Sequence, residues 1–229
     1  MKKILLLALL AISMLPVYSQ TSVGVIGGYN LASLHPKQKQ MYGSWDYDFK
    51  QGWRAGLIAD HRLWKKFHLQ PQLLLNSKGY KSRYYYNGPF AFSSERILRM
   101  LYLELQANLL FKEPLGSGKL LIGAGPYLSR GIGGKLRARG FQVYSDGTTS
   151  YDQKFPIKFR KESGNDATVS YQKPYDAGLN FQTGYECKNG LFFNAVYSLG
   201  LTNYNYSKEL KSKNTYFGLG VGYFLKKLS

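Results

Sequence analysis

Apolar side chains recur at every second position, in runs joined by connections that are short and long in turn, and this pattern constrains the chain more than any other. Over residues 67–76, Phe67, Leu69, Pro71, Leu73 and Leu75 share one face, opposite His68, Gln70, Gln72, Leu74 and Asn76. That is the spacing of an extended strand. Residues 101–112 repeat it, with Leu101, Leu103, Leu105, Ala107, Leu109 and Phe111 opposite Tyr102, Glu104, Gln106, Asn108, Leu110 and Lys112. Residues 176–186, 191–201 and 217–225 do the same. Weaker alternation over 22–33, 52–63 and 120–132 brings the expected number of strands to eight. A helix would place apolar residues three and four apart, so it is excluded. Pro71 removes a ladder donor and predicts a strand start or a local bulge there.

The expected connections differ in length. Residues 64–66, 114–118 and 188–190 make short ones, whereas 34–49, 79–97, 133–175 and 205–213 make long ones. Short turns at one end and long loops at the other, with an even strand count, predict an all-β, eight-stranded, antiparallel, up-and-down transmembrane barrel. Its short turns would be periplasmic and its long loops extracellular.

The N-terminus supports export. Lys2 and Lys3 precede an apolar run at 4–12, and Val17-Tyr18-Ser19 resembles a cleavage site. Residues 1–19 therefore read as a signal peptide and 20–229 as the barrel domain. The apolar run is too short to cross a bilayer as a helix, and no later stretch is long enough. The expected location is the outer membrane. Removing Lys2 and Lys3 takes the formal charge from +18 to +16. Export makes nucleic acid an unsuitable partner for that charge and favours outer-membrane lipid and anionic lipopolysaccharide. Cys187 is the single cysteine, so no internal disulfide forms, and it reads as a small apolar side chain at a strand end.

Alternation alone leaves open which face points inward. A soluble barrel would line its lumen with the apolar set. Here the polar face carries Gly178, Gly184, Gly218, Gly220 and Gly222, and glycine weakens a strand unless a crowded neighbour needs the space. The glycine, amide and charged set is therefore placed inward, and the Leu, Phe and Tyr set toward lipid. Trp53, Trp64, Phe67, Phe111, Tyr185 and Phe224, near strand ends, suit interfacial girdles.

Several motifs resemble the PorT-type outer-membrane β-barrel family. Leu69-Gln-Pro-Gln-Leu-Leu-Leu-Asn-Ser-Lys-Gly79 resembles its third strand, Tyr102-Leu-Glu-Leu its fourth and Gly123-Ala-Gly-Pro-Tyr127 its fifth. Asp176-Ala-Gly-Leu and Tyr197-Ser-Leu-Gly-Leu-Thr-Asn203 resemble the sixth and seventh. The chain departs from the pattern at Val196, where relatives often carry Arg, and continues past Phe224 to Ser229. The resemblance implies an integral outer-membrane barrel; one member serves a gliding and protein-secretion apparatus, and the family shares no single activity.

An eight-stranded barrel has room inside for little beyond its own side chains. Arg54, Asp60, Glu104, Lys112, Arg130, Asp176 and Glu186 are placed on the inward face and expected to pair with one another, since isolated charges there are costly. The expected result is a structural network, with a gated or proton-sensitive conduit as the sharper reading. Catalytic residues, metal ligands and cofactors are not expected. His35, His61 and His68 are the only histidines; an acyl hydrolase or transferase using Ser33 and His35 is the enzymatic alternative. Gly131-Ile-Gly-Gly134 lacks the ending of a phosphate-binding loop.

The 133–175 connection is the expected functional element. Its basic residues, with Arg137, Arg139, Lys158, Arg160 and Lys161 as candidate contacts, alternate with Tyr144, Tyr151, Phe155 and Phe159. Such a mixture suits lipopolysaccharide phosphates and sugars or a protein partner. The strands are expected to run on into this loop as a hairpin. The sequence therefore predicts a non-enzymatic barrel with a structural, binding or accessory role through its outer loops. An accessory subunit of a secretion machine, with envelope or secretion-machine proteins as partners, is the alternative.

Overall fold

The computed structural model describes residues 21–34, 44–86, 91–203, 206 and 213–225. The expected signal peptide and His35 lie outside the described residues. The described residues form β1 (Thr21–Leu34), β2 (Ser44–Asp48), β3 (Lys50–Trp64), β4 (Phe67–Tyr86), β5 (Phe92–Leu115) and β6 (Gly118–Tyr144). They continue as β7 (Gly147–Phe159), β8 (Ser170–Gln172), β9 (Tyr175–Cys187), β10 (Leu191–Gly200) and β11 (Asn214–Phe224). Eight of these close a ring, in the order β1-β3-β4-β5-β6-β9-β10-β11, with every neighbouring pair antiparallel. They are the eight strands that the periodicity predicts.

The stagger of the ring follows from its register. Gly52 pairs with Asn30, Asn30 with Gly218, Gly218 with Val196 and Val196 with Gln182. Gln182 pairs with Gly123, Gly123 with Leu110, Leu110 with His68 and His68 with Arg62. One lap from Gly52 thus returns to β3 ten residues further on, at Arg62. Such a stagger tilts the strands by roughly 35–45° from the axis and leaves an interior that side chains can fill.

Burial shows which face points inward. On β5, Tyr102, Glu104, Gln106, Asn108, Leu110 and Lys112 are buried, whereas Leu103, Leu105 and Leu109 are 42–56% exposed. The amide and charged set lines the lumen, and the leucine-rich set faces outward, as lipid contact requires. Glycines on β11 make room for lumen side chains. A Cβ on Gly222 would meet the ring of Phe192, and one on Gly220 would meet Asn194 and Arg54. Phe224 departs from expectation. It lies inside, stacked on Phe192 with centroids 4.7 Å apart, because inward positions on β11 are even-numbered. Trp64 and Phe67 are exposed, stacked at 6.1 Å, and suit the girdle at the short-turn end.

Two of the expected long loops are largely strand. β4 and β5 stay paired from Phe67–Phe111 up to Tyr86–Phe92, and β6 pairs with β7 from Lys135–Pro156 to Tyr144–Gly147. β2 adds to β4 at residues 81–85, and β8 adds to β7 in parallel. A sheet therefore stands above the ring on one side. Beneath it Leu98, Met100, Tyr102 and Ile157 pack into a buried cluster with Tyr80, Leu136 and Phe159. Gly131 lies under the ring of Phe159, so the end of β7 folds over the barrel and caps the lumen with apolar side chains.

Candidate functional site

Six of the lumen charges form two clusters, one near each end of the ring. In the outer cluster Lys78 Nζ lies 2.5 Å from Glu104 Oε2 and 3.2 Å from Asp176 Oδ2, and none of the three is more than 1% exposed. Asp176 also accepts hydrogen bonds from Tyr127 (3.2 Å), Asn214 (3.0 Å) and Thr202 (2.8 Å). Glu104 accepts from Asn76 (3.1 Å) and Gln106 (2.7 Å). The Lys78 ammonium lies 5.4 Å, 4.2 Å and 5.5 Å from the ring centroids of Tyr102, Tyr127 and Tyr216, within reach of cation–π attraction.

In the inner cluster Lys112 Nζ lies 2.6 Å from Asp60 and 2.6 Å from Glu186, and His68 Nδ1 lies 2.7 Å from Asp60. Between the clusters an amide ladder crosses the lumen. Gln70 donates to Asp60 and accepts from Gln182, which in turn accepts from Asn194. Asn194 Oδ1 accepts from Arg54 Nη2 at 2.9 Å. The guanidinium is 1% exposed, and its Nε and Nη1 have no protein partner among the described residues.

Of the expected inward residues, Arg54, Asp60, Glu104, Lys112, Asp176 and Glu186 face the lumen. Arg130 does not. It is exposed on the outer face, because Leu121, Tyr127 and Ser129 set the inward register of β6 and Arg130 falls between them. Lys78 and Lys50 are inward cations absent from the expected set, Lys50 being 8% exposed in series with Arg54 on β3. Lys78 lies two positions past Asn76 on the same face, and His68 was visible on that face without an assigned partner. His61 lies instead against Thr21, with its Nδ1 2.8 Å from the hydroxyl. No cluster of three metal-ligating side chains occurs among the described residues.

The candidate outer contacts lie on the raised sheet and its connection. Arg137 and Arg139 sit on β6. Arg137 pairs with Asp152 through two nitrogens, and Arg139 pairs with Glu95 on β5. The Arg139 hydrogen bond, joined by Lys81, holds the Glu95 carboxyl below its usual range. Arg137 does the same for Asp152. Lys158 and Lys161 are exposed, and Arg160 lies over the Tyr171 ring at 5.5 Å. Arg83 donates to Asp48, which ties β2 to β4. These pairs hold the sheet's flank together while Lys154, Lys158, Lys161 and Lys173 keep its outer part basic.

None of the curated proteins matches the chain. Among solved structures, Ail, the attachment invasion locus protein of Yersinia pestis, is 10% identical with a TM-score of 0.38, covering 90% of this chain and 99% of Ail. Neisserial surface protein A is 12% identical with a TM-score of 0.39, at 90% and 99% coverage. OprG of Pseudomonas aeruginosa is 10% identical with a TM-score of 0.37, at 90% and 96% coverage. The profile of the outer membrane protein beta-barrel domain family matches residues 18–205, most of the chain. The chain belongs to this family and resides in the outer membrane.

Proposed function

We propose that the protein is a non-enzymatic binding or accessory component of the outer membrane, and that its raised sheet engages the phosphates and sugars of lipopolysaccharide. The continuation of β4, β5 and β6 well past the lipid-facing leucines, with β7 added to β6, carries this reading. Strands need only about 9–11 residues to cross a bilayer, whereas β5 has 24 and β6 has 27. The surplus builds a pre-ordered surface, so little conformational entropy is lost on binding. Its exposed Lys154, Lys158 and Lys161 and the Arg160–Tyr171 stack offer charge and an aromatic face together. A lumen crossed by buried amides and ion pairs under an apolar cap supports a structural interior over a conducting one.

The test is binding of purified, detergent-solubilised protein to immobilised lipopolysaccharide, compared with K158Q/R160Q/K161Q. Affinity is expected to fall on the order of tenfold in the variant and to weaken with salt. Unchanged affinity refutes the assignment. Crosslinking in whole cells separates the PorT-like alternative: a stoichiometric envelope protein captured through the raised sheet supports a secretion-machine subunit instead.

A further inference from the structure

We infer that the opposite end of the barrel is a blind cationic pocket that takes a small, soluble, phosphate-bearing anion from the periplasm. The lumen is closed at the outer end by Met100, Tyr102 and Ile157, all buried. At the short-turn end it opens into a cavity of about 740 Å³ whose lining includes Arg62, Lys65, Lys66, His68, Lys112 and Lys119. That volume suits a metabolite-sized ligand. Its floor is the inner ion cluster, where Lys112 already engages both Asp60 and Glu186. Lys66 is held by Glu113 at 2.7 Å. Arg62, Lys65 and Lys119 then leave the rim strongly positive.

Register argues for a soluble ligand over a lipid headgroup. Arg62 continues the inward series of Arg54, Ile58 and Asp60 on β3, and Lys119 continues that of Leu121 on β6. Cations that serve lipid phosphates belong on the outward series and snorkel past the girdle. Both positions fall in the inward series, and both side chains line the pocket.

The turn that carries Lys65 supplies an independent sign. Lys65 has φ 44°, in the left-handed region, and is the one non-glycine with positive φ among the described residues. The other two tight turns at this end place Gly116 (φ 56°) and Gly190 (φ 91°) in that region. A lysine there is strained where glycine or asparagine is not. Backbone preference therefore does not explain the residue, whose carbonyl also accepts a hydrogen bond from Arg62 Nε at 2.9 Å, tying the turn to the pocket-lining arginine. Lys65 borders the pocket, although its ammonium in this structure lies over the outward Trp64 ring, 5.0 Å from the centroid.

The experiment titrates inorganic pyrophosphate, by calorimetry, into the full protein held in phosphatidylcholine nanodiscs at low salt. Saturable binding is expected, weakened on the order of tenfold or more in K65N/K119Q. K65N alone is expected to keep or raise the unfolding temperature, since asparagine relieves the turn, so weaker binding then cannot be ascribed to misfolding. A parallel set of discs containing phosphatidylglycerol distinguishes the source of phosphate. Unchanged pyrophosphate affinity there supports the soluble ligand, and occupation of the site by the anionic lipid overturns it. Absence of saturable binding, or binding that K65N/K119Q retains, also overturns the proposal.

Discussion

Replacing Lys78 by Met tests whether the outer ion cluster holds the barrel together. The side chain lies between two carboxylates, with side-chain exposures of 1%, 0% and 0% across the Lys78, Glu104 and Asp176 triad. Removing one member of a buried ion pair costs about 3–5 kcal/mol, because the partner charge stays buried without its counter-charge. Here two carboxylates are left. Neutral donors from Tyr127, Asn214, Thr202, Asn76 and Gln106 remain and soften the loss. The lower end, about 3 kcal/mol, is therefore expected, a change on the order of 100-fold in the folding equilibrium. The assay is reversible urea unfolding from phosphatidylcholine vesicles, followed by tryptophan fluorescence. K188M, at an exposed turn position, serves as the control and is expected within about 0.5 kcal/mol of the parent. Adding E104Q and D176N to K78M removes both stranded charges and is expected to restore most of the stability. The reasoning fails if K78M matches K188M, or if neutralising the carboxylates does not rescue it.

Three further outcomes follow from the same geometry. Gly222→Ala pushes a methyl into the Phe192 ring and is expected to destabilise by about 1–3 kcal/mol, whereas Gly27→Ala, with nothing within 4 Å, stays near neutral in the same urea assay. Leu105→Arg, at an outward position 56% exposed, is expected to cost about 2–4 kcal/mol in vesicles, as a charge facing mid-bilayer does; a near-zero effect there refutes the lipid-facing assignment. The raised sheet should loosen in acid. The Arg139 and Lys81 contacts lower the Glu95 carboxyl in the folded state, so their contribution is present above the unfolded carboxylate value of about 4.3 and is lost as pH falls through the lower folded one. Hydrogen exchange corrected for intrinsic rates should show constant protection of β5 and β6 above the raised end from pH 8 to about 5 and a decline below about 4.

How much was legible follows from which solvent each face meets. Where lipid lies on one side and a polar lumen on the other, period two is written plainly, as in Leu101 to Lys112, and strand existence, direction and facing could be read from it. Above the bilayer the outward face of β4, β5 and β6 no longer meets lipid and carries polar side chains, and runs such as Lys81-Ser-Arg-Tyr-Tyr-Tyr86 show no such period. These strand extensions therefore read as loop, although the hairpin within 133–175 was anticipated. On β6 Gly123, Gly125, Gly131, Gly133 and Gly134 blank out the side-chain signal, and the pairing slips between Leu101 and Tyr102. The phase of Arg130 could not be fixed under those conditions. Lys78 was hidden for a simpler reason: the apolar partner series that marks its strand stops at Leu75, three residues earlier. Which carboxylate each lumen cation would choose was beyond sequence, because Asp176 and Lys78 are 98 residues apart and meet only through ring closure.

A filled cylinder places its chemistry at its ends, and here the two ends are built in opposite ways. At the outer end three acids fasten a sheet, Asp48 to Arg83, Glu95 to Lys81 and Arg139, and Asp152 to Arg137, while Asp146, Glu162 and Asp166 stay exposed. Those contacts give a rigid platform whose remaining charge is lysine-rich and distributed over a broad surface. The inner end spends Asp60 and Glu186 on Lys112 at the floor of a concavity, and leaves Arg62, Lys65 and Lys119 around its rim. A broad cationic platform fits an extended polyanion, and a cationic cup fits a compact one. Between them the amide ladder from Asp60 to Arg54 and the Lys78 triad fix the lumen side chains. That interior is suited to holding both ends in place, and an event at one end would have to displace buried, paired charges to be felt at the other.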